Sequence, residues 1–237
     1  MIDHLHGLVD IHNHILPGID DGAKTIDESV DLIKGFSEFG IKNFVFTPHI
    51  MNNYYPNTPT TIKNSFAKLQ KELNIQNIDN IYLDYSAEHM IDDNFEAILN
   101  GDKVMPLKKS YLLIEMSYLQ PSLNFDQAIS KIASRRYFPI LAHPERYLFF
   151  HQKYKKYASL KSQGILFQLN LLSLCSDFYG KEVSKIASKL LDDNLIDYVA
   201  SDVHNMKQLN TIKDATISSK TLDQILPIVE NTIDTFF

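Results

Sequence analysis

Carboxylates and imidazoles recur along this chain in short clusters, each just past a run of β-branched or aromatic residues. Asp10-Ile11-His12-Asn13-His14 is the first and Ser201-Asp202-Val203-His204 the last, with Thr47-Pro48-His49, Ala87-Glu88, Leu113-Ile114-Glu115 and Ala142-His143 between them. Side chains two apart share one side of an extended backbone, so His12 and His14 can hold one divalent ion. Asp202 and His204 repeat that geometry with a carboxylate in place of one imidazole. Glu88 and Glu115 close apolar runs, where a buried carboxylate is costly unless a cation offsets it. The turn-rich loop Pro17-Gly18-Ile19-Asp20-Asp21-Gly22 adds two more carboxylates after the first cluster. Mixed nitrogen and oxygen donors with no thiolate suit manganese, iron or zinc. The nine candidates His12, His14, Asp21, His49, Glu88, Glu115, His143, Asp202 and His204 exceed what one ion uses. Two or three ions sharing carboxylates follow, an arrangement suited to activating water for in-line displacement at phosphorus.

Three arginines occur, Arg135, Arg136 and Arg146. The first two close a helical segment and suit its C-terminal dipole. Arg146 follows His143-Pro144-Glu145, where a guanidinium can hold two phosphate oxygens. The competing role is an ion pair with Glu145 or another nearby acid. Cys175 opens Cys175-Ser-Asp-Phe-Tyr-Gly-Lys181, which lacks the repeated glycines of a cysteine-phosphatase loop, so it reads as a structural thiol. His4-Leu5-His6 copies the His-x-His spacing with no strand before it and reads as an exposed terminal segment.

Seven strand-length runs must carry these clusters: Leu8–Ile11, Asn43–Thr47, Ile81–Ser86, Tyr111–Glu115, Phe138–Ala142, Ile165–Leu169 and Ile196–Ser201. All seven read as buried. Helical spacing fills Thr25–Phe39, Thr60–Leu73, Phe125–Arg136, Gln152–Ser162 and Lys181–Asp193, and one or two further helices from about residue 207. Thr25 with Glu28 forms a capping-box pattern, and Gly40 stands where that helix should stop. Alternation of this kind predicts parallel βαβ units. Seven units suggest a closed or nearly closed barrel, whose strands all deliver their C-terminal ends to one rim. The open alternative is a doubly wound sheet.

A chain of 237 residues with 44% apolar content can bury one substantial core, so residues 1–237 read as a single domain. A net charge of −6 with dispersed lysines argues against nucleic acid as a partner. One cysteine, a polar N-terminal stretch and no long apolar run predict a cytoplasmic protein that does not insert into a membrane.

Taken in order, Asp10-Ile-His-Asn-His14, Pro17-Gly-Ile-Asp-Asp-Gly22, Thr47-Pro-His49, Ala87-Glu88, Leu113-Ile-Glu115, Ala142-His-Pro-Glu-Arg-Tyr147 and Ser201-Asp-Val-His-Asn205 resemble the PHP superfamily, polymerase and histidinol phosphatase. More narrowly the chain resembles the manganese-dependent bacterial protein-tyrosine phosphatases of capsule and exopolysaccharide operons. The resemblance implies a distorted seven-stranded (β/α) barrel, TIM-like, with three metals at its rim. It implies attack by a metal-bound hydroxide on the phosphotyrosine tail of a membrane-associated bacterial tyrosine kinase. The family's ligands fall on the same nine residues, and its phosphate-contacting arginine falls on Arg146. A second arginine expected after the last motif is missing, and Lys207 is the cation that segment offers. Another PHP phosphoesterase such as a histidinol-phosphate phosphatase, an amidohydrolase-type barrel, and a metal-binding phosphopeptide module without turnover are the competing readings.

Overall fold

The computed structural model describes residues 1, 4–175 and 178–237. Strands and helices alternate: β1 Val9–Asp10, α1 Ile26–Ser37, β2 Asn43–Phe46, β3 His49–Ile50, α2 Pro59–Ile75, β4 Tyr82–Tyr85, β5 Glu88–Met90, α3 Phe95–Asn100 and β6 Tyr111–Glu115. Then follow α4 Phe125–Ser134, β7 Phe138–Ala142, α5 Leu148–His151, α6 Lys155–Ser162, β8 Leu166–Asn170, α7 Lys181–Asp192, β9 Tyr198–Ala200, α8 Met206–Asp214 and α9 Ser219–Phe236. The fold is mixed α/β, and every strand pair is parallel.

Each of the seven predicted runs carries one strand, and two short strands outside them, β3 and β5, bring the number among the described residues to nine, in two sheets ordered β1-β2-β4 and β3-β5-β6-β7-β8-β9. They do not form one continuous closed sheet. Pro48 has no N–H to donate, so the ladder breaks between β2 and β3, and the neighbouring run breaks beside it between β4 and β5. The paired chains still run together across the break: Ser86 N donates to Phe46 O at 2.8 Å and Glu88 N to Pro48 O at 3.1 Å. At the other end, Asp202 N donates to His12 O at 2.7 Å and His14 N to Val203 O at 3.0 Å. Those bonds set the His-x-His segment beside the Asp-x-His segment. The run Ile81–Ser86 is not fully buried as expected; β4 is an edge strand, with Tyr82 and Asp84 exposed.

Helix ends follow their capping chemistry. Thr25 Oγ1 accepts from Glu28 N at 3.2 Å, and the Glu28 carboxylate accepts from Lys24 N, one residue before the expected partner. Gly40 adopts φ +77° just past α1. The predicted segment Gln152–Ser162 holds α6, Lys155–Ser162, while α3 and α5 were not foreseen; both are too short to display a helical period.

Alternate strand residues bury two cores. Val9, Ile11, Val45, Leu113, Ile140, Ala142 and Tyr198 pack together with Phe236 of α9. The opposite strand face and the helices form the larger core, which runs from Leu5 to Val229. Strands covered on both faces read as continuous apolar runs, which is why periodicity located them.

Candidate metal centre

All nine candidates come to one place: eight lie at or just past strand ends on one side of the sheets, and Asp21 comes from the loop after β1. His12 and His14 extend β1, His49 starts β3, Glu88 starts β5, and Glu115 ends β6. His143 follows β7, Asp202 and His204 follow β9, and Asp21 reaches in from the loop after β1. Their donor atoms form four overlapping groups within 4.8 Å: His14-Asp21-His49-His204, His12-His143-Asp202, His12-His14-Glu88 and His49-Glu88-Glu115. His12, His14, Glu88, Glu115, His143 and Asp202 are buried. His143 (φ 36°) and Asp202 (φ 54°) adopt left-handed backbone, which costs a non-glycine residue about 1 kcal/mol or more and turns each side chain off the strand line toward the cluster.

The donor set fits divalent cations on hydrogen-bonding grounds. His14 Nδ1 lies 2.8 Å from the Asp20 carboxylate, an acceptor only, so its proton sits on Nδ1. His12 Nδ1 lies 2.7 Å from Gln168 Oε1, and the Gln168 amide is oriented by donating to Asn170 Oδ1 at 2.9 Å. In the neutral imidazoles both Nε2 atoms therefore carry lone pairs, and these face each other at 3.4 Å. Two lone pairs this close repel unless a cation lies between them. Nearby, His49 Nδ1 sits 3.0 Å from Glu88 Oε2 and 2.9 Å from Glu115 Oε1. None of these three buried atoms has a hydrogen-bond partner among the described residues. Buried polar atoms are rarely left so, and a shared ion satisfies all three.

Electrostatics agree. Burial opposes the charged form of His49, yet Glu115 and Glu88 outweigh it and hold its pKa well above the ordinary value. Burial likewise raises Glu88, but His12 and His49 pull it well below the usual carboxylate range. Glu115 is raised, by burial and then by the charge of Glu88. The pocket thus attracts positive charge, whether carried by protons or by metal.

The cluster opens into a cleft of about 1120 Å³, with Asp21, His49, Glu115, Asp202 and His204 at its base and Tyr54, Tyr118, Leu123, Arg146, Tyr179 and Gln208 in its walls. Arg146 pairs with Asp202, Nη1 to Oδ2 at 2.8 Å, and not with Glu145, which is buried and accepts from Ser173 Oγ at 2.6 Å and Asn170 N at 3.1 Å. Arg135 pairs with Asp102 at the surface. Lys207 is exposed on the first turn of α8 and is not part of the cleft wall; Gln208 occupies that wall, its Oε1 accepting from His204 N at 2.5 Å. Cys175 is buried, and burial pushes its thiol up to about 11, so it remains protonated at neutral pH. Ser176 and Asp177, part of the segment weighed as a thiol loop, lie outside the described residues, as do Ile2 and Asp3 before the exposed His4 and His6.

Sequence reasoning missed Asp20, Gln168, Asn170, Tyr118 and Tyr179. Gln168 and Asn170 carried a signal: two amides at period two in an otherwise apolar strand are costly unless they hold something in place.

Comparison with known proteins follows the same lines. The family described as "Capsular polysaccharide synthesis, CpsB/CapC" matches residues 8–219. CapC of Staphylococcus aureus is 32% identical over 200 residues, covering 84% of this chain and 78% of that protein. Tyrosine-protein phosphatase YwqE of Bacillus subtilis is 30% identical over 204 residues, covering 86% and 80%. A crystal structure from work on YwqE and on CpsB of Streptococcus pneumoniae, described as metal-dependent tyrosine phosphatases, superposes with a TM-score of 0.78 at 27% identity, covering 94% of this chain and 95% of that one. A protein described as a 2-pyrone-4,6-dicarboxylic acid hydrolase, from Acinetobacter baumannii, shares the fold alone, with a TM-score of 0.50 at 12% identity over 97% and 99% of the two chains.

Proposed function

The chain belongs to the CpsB/CapC family of capsular polysaccharide synthesis, and from that premise we propose how it works as a metal-dependent tyrosine-protein phosphatase. The observation that carries the reading is the set of converging, uncompensated donor atoms beside one arginine. His12, His14, Asp21, His49, Glu88, Glu115, His143, Asp202 and His204 would hold two or three divalent ions, most suitably manganese, given nitrogen and oxygen donors without thiolate. Bound there, such ions supply Lewis acidity and make water a usable nucleophile near neutral pH.

The chain's own residues do the rest. Asp20 and Gln168 fix the tautomers of His14 and His12 so that each offers Nε2 to the cluster. Arg146 takes non-bridging phosphate oxygens and offsets charge that builds during transfer. Lys207, outside the cleft wall, is assigned no such contact. Phenolate, with a pKa near 10, leaves without a strong general acid, which suits a site where Glu115 and Glu88 face imidazoles and not a leaving group.

The backbone bonds that carry the pairing across the break at Pro48 and the Asn13–Val203 bridge support reading the strands as a distorted seven-stranded barrel. A larger core running from Leu5 to Val229 supports one domain. The physiological substrate we propose is the phosphotyrosine tail of a membrane-associated tyrosine kinase in capsule assembly, reached from the cytoplasm; a wide cleft suits a flexible tail. Among the described residues no helix is long and apolar enough to cross a membrane.

The test is to assay the manganese-loaded protein on a phosphotyrosine peptide and on histidinol phosphate, before and after chelation. We expect release of phosphate from the peptide in preference, its loss on chelation, and a fall of at least a hundredfold in kcat for Glu115→Ala, on the order of removing a metal ligand's charge from the site. Chelator-resistant turnover, or preference for histidinol phosphate, would overturn the reading.

A further inference from the structure

Arg146 is gripped in a way that its charge alone does not explain. Its guanidinium carbon lies 4.3 Å from the ring centroid of Tyr118 and 4.1 Å from that of Tyr179. Tyr118 comes from the loop after β6 and Tyr179 from the segment before α7, so two distant parts of the chain close on one side chain. Tyr118 is itself supported: its ring stacks on Tyr147 at 6.0 Å and 28°, and Tyr147 Oη accepts from Met116 N at 3.1 Å, at the base of the same loop.

The nature of the grip matters. Aromatic faces attract a guanidinium without consuming its N–H donors. Carboxylates hold it by consuming them. Among the described residues the single hydrogen bond from the Arg146 guanidinium is the one to Asp202, made by Nη1. The remaining N–H groups are uncommitted, and the residue forms part of the cleft wall beside His204 and Glu115. Two rings therefore fix the plane and place of the guanidinium while leaving its donors for an anion. A lysine here has no planar face to be clamped in this way.

Building on the phosphatase reading, we propose that Tyr118 and Tyr179 are positioning residues that clamp Arg146 so that its uncommitted N–H groups meet the non-bridging oxygens of the phosphoryl group. They act through Arg146 and not on the substrate itself. The clamp also accounts for how a site with a single arginine in its wall can hold phosphate, since a fixed donor loses less conformational freedom on binding than a mobile one.

Isothermal titration of inorganic phosphate into the manganese-loaded protein tests this, with metal content measured for each variant. Tyr118→Leu and Tyr179→Leu, which keep apolar bulk but lose the ring, should each raise the phosphate dissociation constant about tenfold at unchanged metal content. Tyr118→Phe and Tyr179→Phe should retain parental affinity at unchanged metal content, because the face and not the hydroxyl does the holding, even though the Tyr118 hydroxyl lies 3.3 Å from His143 Nε2. In an Arg146→Ala background Tyr118→Leu should have no further effect. Parental affinity in both leucine variants, an equal loss in the Arg146→Ala background, loss of metal along with the ring, or a parent that binds no phosphate would each overturn the clamp. Because binding is measured without turnover, a protein that binds phosphate through the clamp yet hydrolyses no phosphotyrosine would refute the function and leave the clamp standing.

Discussion

Gln168 and Asp20 lie outside the cleft wall, yet they decide what His12 and His14 can do. An imidazole offers one lone pair when neutral, and the partner of its other nitrogen chooses which atom carries it. Gln168 Oε1 and the Asp20 carboxylate occupy the two Nδ1 atoms, so both Nε2 atoms face the cluster. The consequence is measurable. Gln168→Leu keeps the volume roughly and removes the acceptor, and we expect manganese to bind about 10–100-fold more weakly, read by competition with a metal-sensitive dye. Unchanged affinity would mean that the orientation of His12 is set by packing alone. The adjacent pair Asp20 and Asp21 makes the same point: Asp20 is buried against His14 while Asp21 is exposed, reaching His49 and His204 at 3.4 and 3.6 Å. Two identical side chains one residue apart thus take different jobs.

At the scale of the strand, β5 holds two titratable residues with opposite tasks. Glu88 faces the cluster, and His89, on the opposite side of the strand, is buried away from it, with Nδ1 donating to Leu113 O at 3.0 Å and Nε2 accepting from Met105 N at 3.1 Å. Burial lowers its pKa from an ordinary 6.5 to about 4, so it is neutral in the folded chain. Below pH 6.5 the unfolded chain takes up a proton that the folded one refuses, and stability falls as pH drops toward 4. His89→Gln can reproduce both hydrogen bonds without titrating. Between pH 6.5 and 4.5 the stability gap between parent and variant should close by about 2 kcal/mol in favour of the variant, measured by urea unfolding at each pH. A gap independent of pH would show that His89 titrates normally. The breaks in β2–β3 and β4–β5 belong to this scale too. Pro48 was visible in the sequence, but that its neighbour would break alongside it depends on pairing between residues about forty positions apart.

For the molecule as a whole, the site is a stability problem that a bound cation would solve. Glu88, Glu115 and Asp202 are buried together, and removing their charges from water costs more than the hydrogen bonds they accept return. A cation that binds only the folded state stabilises it by mass action, about 2.7 kcal/mol at a hundredfold excess over its dissociation constant. Manganese should therefore raise the melting temperature by roughly 5–10 °C for a chain of this size, and chelation should reverse the gain. A melting temperature indifferent to manganese would deny that the cluster holds it.

The sequence by itself determined the donor inventory, its order along the chain and the alternation of strand and helix, because side-chain type and hydrophobic period are local properties. All nine candidates converge, and Arg146 stands in the cleft wall. Tertiary structure alone decided that Lys207 stays outside that wall, that Asp20 turns inward, and that Gln168 meets His12 across 156 residues. It also decided that Tyr118 and Tyr179 close on Arg146. Those outcomes depend on which distant atoms are brought within about 3–4 Å, the range over which hydrogen bonds, lone pairs and ring faces act. No local pattern encodes such a distance.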